Sequence, residues 1–338
     1  MKTVIIKNLD KPVSRLGLGC MGMSEFYGPA SSEVDAFEVM AEALDLGVQM
    51  FDTADFYGDG ANEELIGRFI KTHNKRPVIA TKCGIVRSDV VLADGNFRRD
   101  YNGQPDYIRQ SAEQSLQRLG VECLDLFYLH RIDPKVPIEE SMDAMKDLVQ
   151  AGKIKAVGLS EADEDTLRRA NQVHPVSALQ SEFSLWSRHL ETTLIPVCEE
   201  LGITFVPYAP LGRGMVPSQK GGALSFASGD FRATLERAMQ ENVDKNQFLY
   251  EHLYAVGEQL NISAFQVMLA WLYHRHPNML PIPGSRQLKN LRANVAAEAV
   301  EMPEETVAQL SDLFASDNVS GGRYTVNKAV TENAEAMR

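Results

Sequence analysis

Short apolar runs of strand length recur eight times along this chain, and most are followed by a longer amphipathic segment. The runs cover 16–19, 48–53, 78–82, 124–130, 154–160, 178–180, 203–208 and 279–282. Strand–helix alternation of this kind pairs strands in parallel through right-handed crossovers. Eight such units in 338 residues suit a closed (β/α)8 TIM barrel better than an open sheet. The expected fold class is therefore α/β, with residues 1–338 forming one barrel domain.

Helix signals support this. Ser31-Ser32 supplies an N-cap, Val34, Phe37, Ala41 and Leu44 recur at helical spacing, and Gly47 ends the segment. Pro105 opens another helix carrying Ile108, Ala112, Leu116 and Leu119 before Gly120. Three pieces fall outside the eightfold scheme. Residues 1–13 read as a β-hairpin covering the barrel bottom. Residues 212–245 form a long Gly/Ser/Phe-rich loop after strand seven. Residues 303–338 hold an extra helix, 304–314, and a polar tail from 315 onward.

Lys and Arg number 34 against 46 Asp and Glu, a net charge of −12. Such acidity argues against a nucleic-acid partner. No window approaches the roughly 18 apolar residues of a membrane span. The start, MKTVIIKNLDK, has no apolar stretch long enough for a signal peptide. Cys20, Cys83, Cys123 and Cys198 form no C-x-x-C pair and read as buried residues in a reducing compartment. The expected location is cytoplasmic, without a membrane partner, as a monomer or homo-oligomer.

A barrel enzyme builds its site at the C-terminal ends of its strands. The exits in order carry Asp52, Lys82, His130, Ser160, Gln180 with Glu182, Tyr208 and the segment PIPGSRQ, with Tyr57 just beyond Asp52. Lone examples of these residues are commonly structural. Asp, Lys and His at three consecutive exits, with a tyrosine above them, converge on one cup. The set has no metal-ligand spacing and no nucleophile elbow, so no metal is expected. A lysine beside a tyrosine stabilises the phenolate and lowers the phenol pKa from about 10. Tyr57 is thus the candidate general acid. Asp52 would hold Lys82, and His130 would orient a substrate oxygen or help pass the proton. This device suits carbonyl reduction, which needs a hydride carrier.

No G-x-G-x-x-G follows a strand. A barrel offers a phosphate site at the loops after strands seven and eight instead. Gly212-Arg213-Gly214 permits close backbone approach, and Gly284-Ser285-Arg286-Gln287 opens a helix. Free amides, a hydroxyl and an arginine make an anion site there. Tyr208 is placed to stack on a nicotinamide ring.

The motifs LGLGCMGMS (16–24), FDTADFYGDGANEELIG (51–67), IATKCG (79–84), DLFYLHRIDP (125–134), AVGLSEA (156–162), LQSEFSLWSR (179–188), PYAPLGRG (207–214) and IPGSRQLKNLRANVAA (282–297) together resemble the aldo-keto reductases. The GCMGMS and YLHRIDP versions look most like the branch containing pyridoxal reductases and perakine reductase. The resemblance covers nearly the whole chain. It implies a (β/α)8 barrel, NADP(H), and a catalytic tetrad of Asp52, Tyr57, Lys82 and His130. It places Gly22, Met23, Asp52, Ser160 and Gln180 around the nicotinamide, with Tyr208 stacked on it. Ala209, Leu211, Gly212, Arg213 and Gly214 would line the pyrophosphate. Gly284, Ser285, Arg286, Asn290 and Asn294 would lie along the adenosine 2′-phosphate end. The chain departs from the family pattern at Glu161, where asparagine is usual, and at Ala293, where glutamate is common. Arg286 keeps a cation for NADPH over NADH.

The function expected is NADPH-dependent reduction of aldehydes, and of some ketones, to alcohols. The small-molecule carbonyl substrate would sit between Tyr57, His130 and a rim of Phe26, Tyr27, Phe56 and Trp186. The aromatic rim points to an apolar or aromatic aldehyde. Two alternatives compete with this reading. One is a Schiff-base lyase using Lys82. The other is a cofactor-binding, redox-sensing regulatory subunit with slow turnover.

Overall fold

The computed structural model describes residues 1–91, 97–227, 229–276 and 278–324. Eleven strands occur among them. β1 (Thr3–Val4) and β2 (Val13–Ser14) pair antiparallel. Then come β3 (Gly17–Gly19), β4 (Met50–Asp52), β5 (Val78–Cys83), β6 (Ile85–Val91), β7 (Phe97–Tyr101), β8 (Leu124–Leu129), β9 (Ile154–Ser160), β10 (Val176–Glu182) and β11 (Thr204–Tyr208). Seven of these form one parallel sheet in the order β11-β10-β9-β8-β5-β4-β3.

The eighth expected strand, 279–282, takes part in closure without forming a regular ladder. Leu280 and Ile282 donate their N–H groups to Phe205 and Pro207 of β11, both at 3.1 Å. Pro281 and Pro283 accept from Gly17 and Gly19 of β3, at 3.0 and 3.2 Å. Proline has no N–H to return to β3, so half of that ladder is missing. The result is a nearly closed TIM barrel.

Strand residues alternate between its two cores. Met50, Ala80, Leu126, Tyr128, Ala156, Ala178 and Val206 fill the interior, and Val4, Ile6 and Val13 of the N-terminal hairpin plug one end. Phe51, Ile79, Phe127, Val157, Leu179 and Phe205 face the helices. This is the period-two pattern of a sheet with both faces covered. Tyr128 fits inside because its neighbour is Gly158, where a Cβ would lie 2.3 Å from the Tyr128 ring.

The helices are α1 (Glu33–Asp45), α2 (Ala61–His73), α3 (Pro105–Leu119), α4 (Ile138–Gln150), α5 (Glu164–Val173), α6 (Leu194–Leu201), α7 (Gln240–Lys245), α8 (Gln247–Leu260), α9 (Ala264–Arg275), α10 (Leu288–Ala296) and α11 (Glu304–Leu313). The Ser32 hydroxyl accepts from Asp35 N at 3.1 Å and caps α1 as expected. The buried face of α1 is Ala36, Val39, Met40 and Ala43, whereas Val34 is 67% exposed. Phe37, Ala41 and Leu44 of the expected face are partly buried against the same core.

The hairpin of β6 and β7, absent from the eightfold scheme, stands after β5 at the barrel mouth. The 212–245 connection is built from short 3-10 turns and α7. After α11 the chain returns to that connection. Asn246 exchanges hydrogen bonds with Ser320, at 2.8 and 2.9 Å, and Gly322 N donates to Glu236 Oε2 at 2.7 Å. The expected polar tail starts at 315; it is described as far as Tyr324, with a 3-10 turn at Ser316–Asn318, and residues 325–338 lie outside the described residues. No helix among the described residues is long and apolar enough to cross a membrane.

Candidate active site

The exits of β4, β5 and β8 carry Asp52, Lys82 and His130 to one end of the barrel, as their parallel register requires. Lys82 is fully buried, and Asp52 and His130 are nearly so. The Lys82 ammonium donates to Asp52 Oδ1 and to the Thr53 carbonyl, both at 2.6 Å, and reaches Tyr57 OH at 3.4 Å. Gln180 Nε2 donates to the other Asp52 oxygen at 2.7 Å. Burial pushes the Asp52 carboxyl up and Lys82 pulls it back. Donors on both oxygens are the surroundings of a carboxylate. Burial alone would lower the Lys82 pKa, but Asp52 and Tyr57 outweigh it and the net shift is upward. Lys82 is an ammonium at neutral pH.

The Tyr57 ring meets His130 edge-on, with centroids 5.7 Å apart. Lys82 pulls the Tyr57 phenol down as expected, but burial pushes it up by more, and the net shift is upward. That corrects the expectation of a lowered value, which weighed the ammonium and not the lost hydration. His130 lies well below the ordinary histidine value, through burial first and then Lys82, Arg131 and Arg99. Its imidazole is neutral at neutral pH. The Tyr57 loop is tied down from outside, since Gly58 N donates to Glu25 Oε2 at 2.8 Å and Arg87 pairs with the same oxygen.

Phe26 and Phe56 stack at 6.0 Å, and Phe26 meets Tyr57 edge-on at 6.5 Å. These two expected rim residues do stand beside the tetrad. Tyr27 lies further out, under the Arg232 guanidinium at 4.5 Å. Trp186 is not at the rim. It is 2% exposed and packs edge-on against Phe314 and beneath Gly212, where a Cβ would lie 2.3 Å from the indole. A large apolar ring gains more from a closed packing site than from an open mouth.

The expected cofactor residues form an arc from β3 round to α10. Gly22 and Met23 lie in a 3-10 turn, Met21–Met23, and the Met23 side chain is buried. Ser160 accepts from Arg131 at 3.2 Å. Beyond Tyr208 the backbone is left-handed at Ala209, Gly212, Arg213 and Gly214; the two glycines take this conformation freely, whereas Ala209 and Arg213 carry the strain common in binding loops. Arg213 is ion-paired with Glu182 at 2.7 Å. Gly284 bridges to Gly19. Ser285 is buried with its hydroxyl unpartnered, and Arg286 reaches the Pro29 carbonyl at 2.8 Å. Asn290 is exposed in the first turn of α10 and Asn294 is buried. An orphaned hydroxyl and an arginine at a helix start fit a phosphate. No cluster of metal-ligating side chains occurs among the described residues.

The family model described as aldo/keto reductase family matches residues 15–314. This chain belongs to the aldo/keto reductase family. It is thereby an oxidoreductase. It is 40% identical over 313 residues to a probable aldo-keto reductase from Glycine max, covering 92% of this chain and 88% of that one. Glycerol dehydrogenase from Gluconobacter oxydans has the same fold, with a TM-score of 0.83, 26% identity, and coverage of 93% and 95%. An aldo/keto reductase from Klebsiella pneumoniae, solved with NADP and acetate, shares the fold at a TM-score of 0.72 and 24% identity, with coverage of 96% and 99%.

In this aldo-keto reductase the position after Ser160 is bound into a network that sequence reasoning missed. Glu161, left-handed at φ 55°, accepts from Arg323 at 3.0 and 3.1 Å. Arg323 also lies 3.4 Å from Tyr208 OH and 3.4 Å from Glu182. Tyr324 and Tyr208 share a hydrogen bond at 3.1 Å. Burial would raise the Glu182 carboxyl, but Arg213, Arg323 and Arg237 outweigh it and hold it well below the usual range. Glu161 and Arg323 are 162 residues apart, so no local signal links them. Arg99 and Arg131 were also missed.

Proposed function

We propose that this chain is an NADP(H)-dependent reductase of aldehydes, and of some ketones, with Tyr57 as the general acid. The observation that carries this reading is the buried contact of Lys82 with Tyr57, beside a His130 too hard to protonate to serve as the acid. Tyr57 holds its proton at neutral pH and is the donor facing the cup. The Lys82 ammonium stabilises the phenolate left behind, and Asp52 fixes that ammonium in place. Neutral His130 orients the carbonyl oxygen through a ring nitrogen. NADPH, when bound, would supply the hydride that the carbonyl carbon accepts. Ser285, Arg286 and the first amides of α10 would hold its adenosine phosphate. The left-handed loop 209–214 would lie along its pyrophosphate, and Tyr208 beneath its nicotinamide. The Lys82 ion pair argues against a Schiff-base role, which needs a free amine.

The test is oxidation of NADPH against pyridoxal, methylglyoxal, benzaldehydes and sugars, repeated with NADH. Aldehyde-dependent oxidation, faster with NADPH, is expected. Tight NADPH binding with no turnover of any aldehyde would overturn the reductase reading and favour a redox-sensing subunit.

A further inference from the structure

The protein carries a net charge of −12, yet the mouth of the barrel is cationic. Arg99, on β7, lies over Phe26, Phe56 and Phe231, at 5.3, 5.4 and 5.9 Å from the ring centroids. Among the described residues it makes no ion pair. Arg131 follows His130 directly and donates to the His130 carbonyl at 2.7 Å and to Ser160 Oγ at 3.2 Å. It too makes no ion pair among the described residues. The other mouth arginines differ. Arg213 is paired with Glu182, and Arg323 with Glu161.

Both guanidiniums have lost part of their hydration and repel each other, but Tyr208, Tyr324 and the Glu161 carboxylate compensate Arg131, and Arg99 is left as the cation without a carboxylate. Burial and then Arg131 lower the Arg99 pKa, and both arginines act on His130. Arg99 is one ring away from the acid, because Phe26 touches Phe56 on one side and Tyr57 on the other. A guanidinium held over aromatic faces keeps its donors in one plane and suits bidentate recognition of a carboxylate.

Resting on the reductase reading, we propose that the substrate is an anionic carbonyl compound, an aromatic aldehyde bearing a carboxylate that Arg99 and Arg131 receive. The aldehyde carbon faces Tyr57 and His130, and the ring lies along Phe26 and Phe56. The same cations could instead serve the cofactor pyrophosphate, and the experiment separates the two.

The test compares 4-carboxybenzaldehyde with its methyl ester and with benzaldehyde, in the full chain and in Arg99→Gln and Arg131→Gln. The carboxylate should be preferred over its ester in kcat/KM by about tenfold or more. Arg99→Gln should lose that preference through KM while reducing benzaldehyde as before and keeping its KM for NADPH, and Arg131→Gln, which also gives up its bonds to His130 and Ser160, should lose the same preference. Turnover of benzaldehyde also shows that the variants fold. Equal turnover of the carboxylate and its ester would overturn the proposal alone. So would a raised KM for NADPH in the variants with the carboxylate preference intact. Failure to reduce any of the three would overturn the reductase reading and the proposal with it.

Discussion

Arg323 donates through a single nitrogen to both carboxylate oxygens of Glu161, at 3.0 and 3.1 Å. The contact joins the C-terminal segment to the exit of β9. Glu161 and Glu182 are 5% and 0% exposed, so neither can recover its hydration if a cation is removed. Arg323→Ala should therefore destabilise the fold by about 3 kcal/mol, the usual cost of breaking a buried pair from one side. Urea unfolding followed by tryptophan fluorescence reads this directly. An unchanged midpoint would show that Arg131 suffices for Glu161, and Arg213 with Arg237 for Glu182.

The two candidate proton donors separate by substitution. Tyr57→Phe should lower kcat by at least about a hundredfold, the usual weight of a positioned acid, with NADPH affinity unchanged. His130→Gln keeps a hydrogen-bond donor and should lose less than His130→Ala. His130 is held well below its ordinary value, so no histidine inflection should appear in kcat/KM between about pH 6 and 8. Tyr57 is shifted upward, so reduction should fade only in strongly alkaline solution. A wild-type profile that turns over near neutral pH would contradict both assignments.

Cofactor choice should rest on the start of α10. The Ser285 hydroxyl is buried and unpartnered, so Ser285→Ala should leave thermal stability unchanged while weakening NADPH. Arg286→Gln should raise the KM for NADPH by about tenfold, as for a lost hydrogen bond to a charged group. Its effect on NADH should be small. Steady-state titrations with both cofactors decide, and equal losses would remove Arg286 from phosphate recognition.

What could be read from the sequence was whatever lies close along the chain or repeats. Asp52, Lys82 and His130 end three consecutive barrel strands, so the alternation that sets the fold also placed them together. The hairpin of β6 and β7 is an antiparallel insertion in that alternation, so the period that marks the barrel strands carries no signal for it or for Arg99. Trp186 is buried and not on an open rim, and an aromatic in a loop carries no mark in sequence of what packs beneath it. Strand eight was legible as an apolar run, but Pro281 and Pro283 left it without half its ladder. The Tyr57 shift failed for a physical reason: a neighbouring charge is visible in sequence, whereas burial is not.

Asp55 follows the tetrad aspartate by three positions and has the opposite surroundings. One of its oxygens is buried without a partner. Burial first, and then Glu63 of α2, push its carboxyl from 3.8 up to about 8, against smaller pulls from Arg118 of α3 and Lys82 of β5. Tyr107 of α3 also faces it. The folded value exceeds the unfolded one, so the protonated form is favoured by folding. The stability this gives is complete below the unfolded value and is lost as pH rises toward 8. Asp55→Asn, which cannot ionise, should escape that loss. Between pH 5 and 9 the wild type should lose roughly 4 kcal/mol relative to the variant, about 1.4 kcal/mol for each pH unit up to the folded value of about 8. Every other titrating group is common to both proteins, so the difference in urea midpoints isolates this carboxyl. A difference that stays constant with pH would mean that Asp55 is ionised throughout.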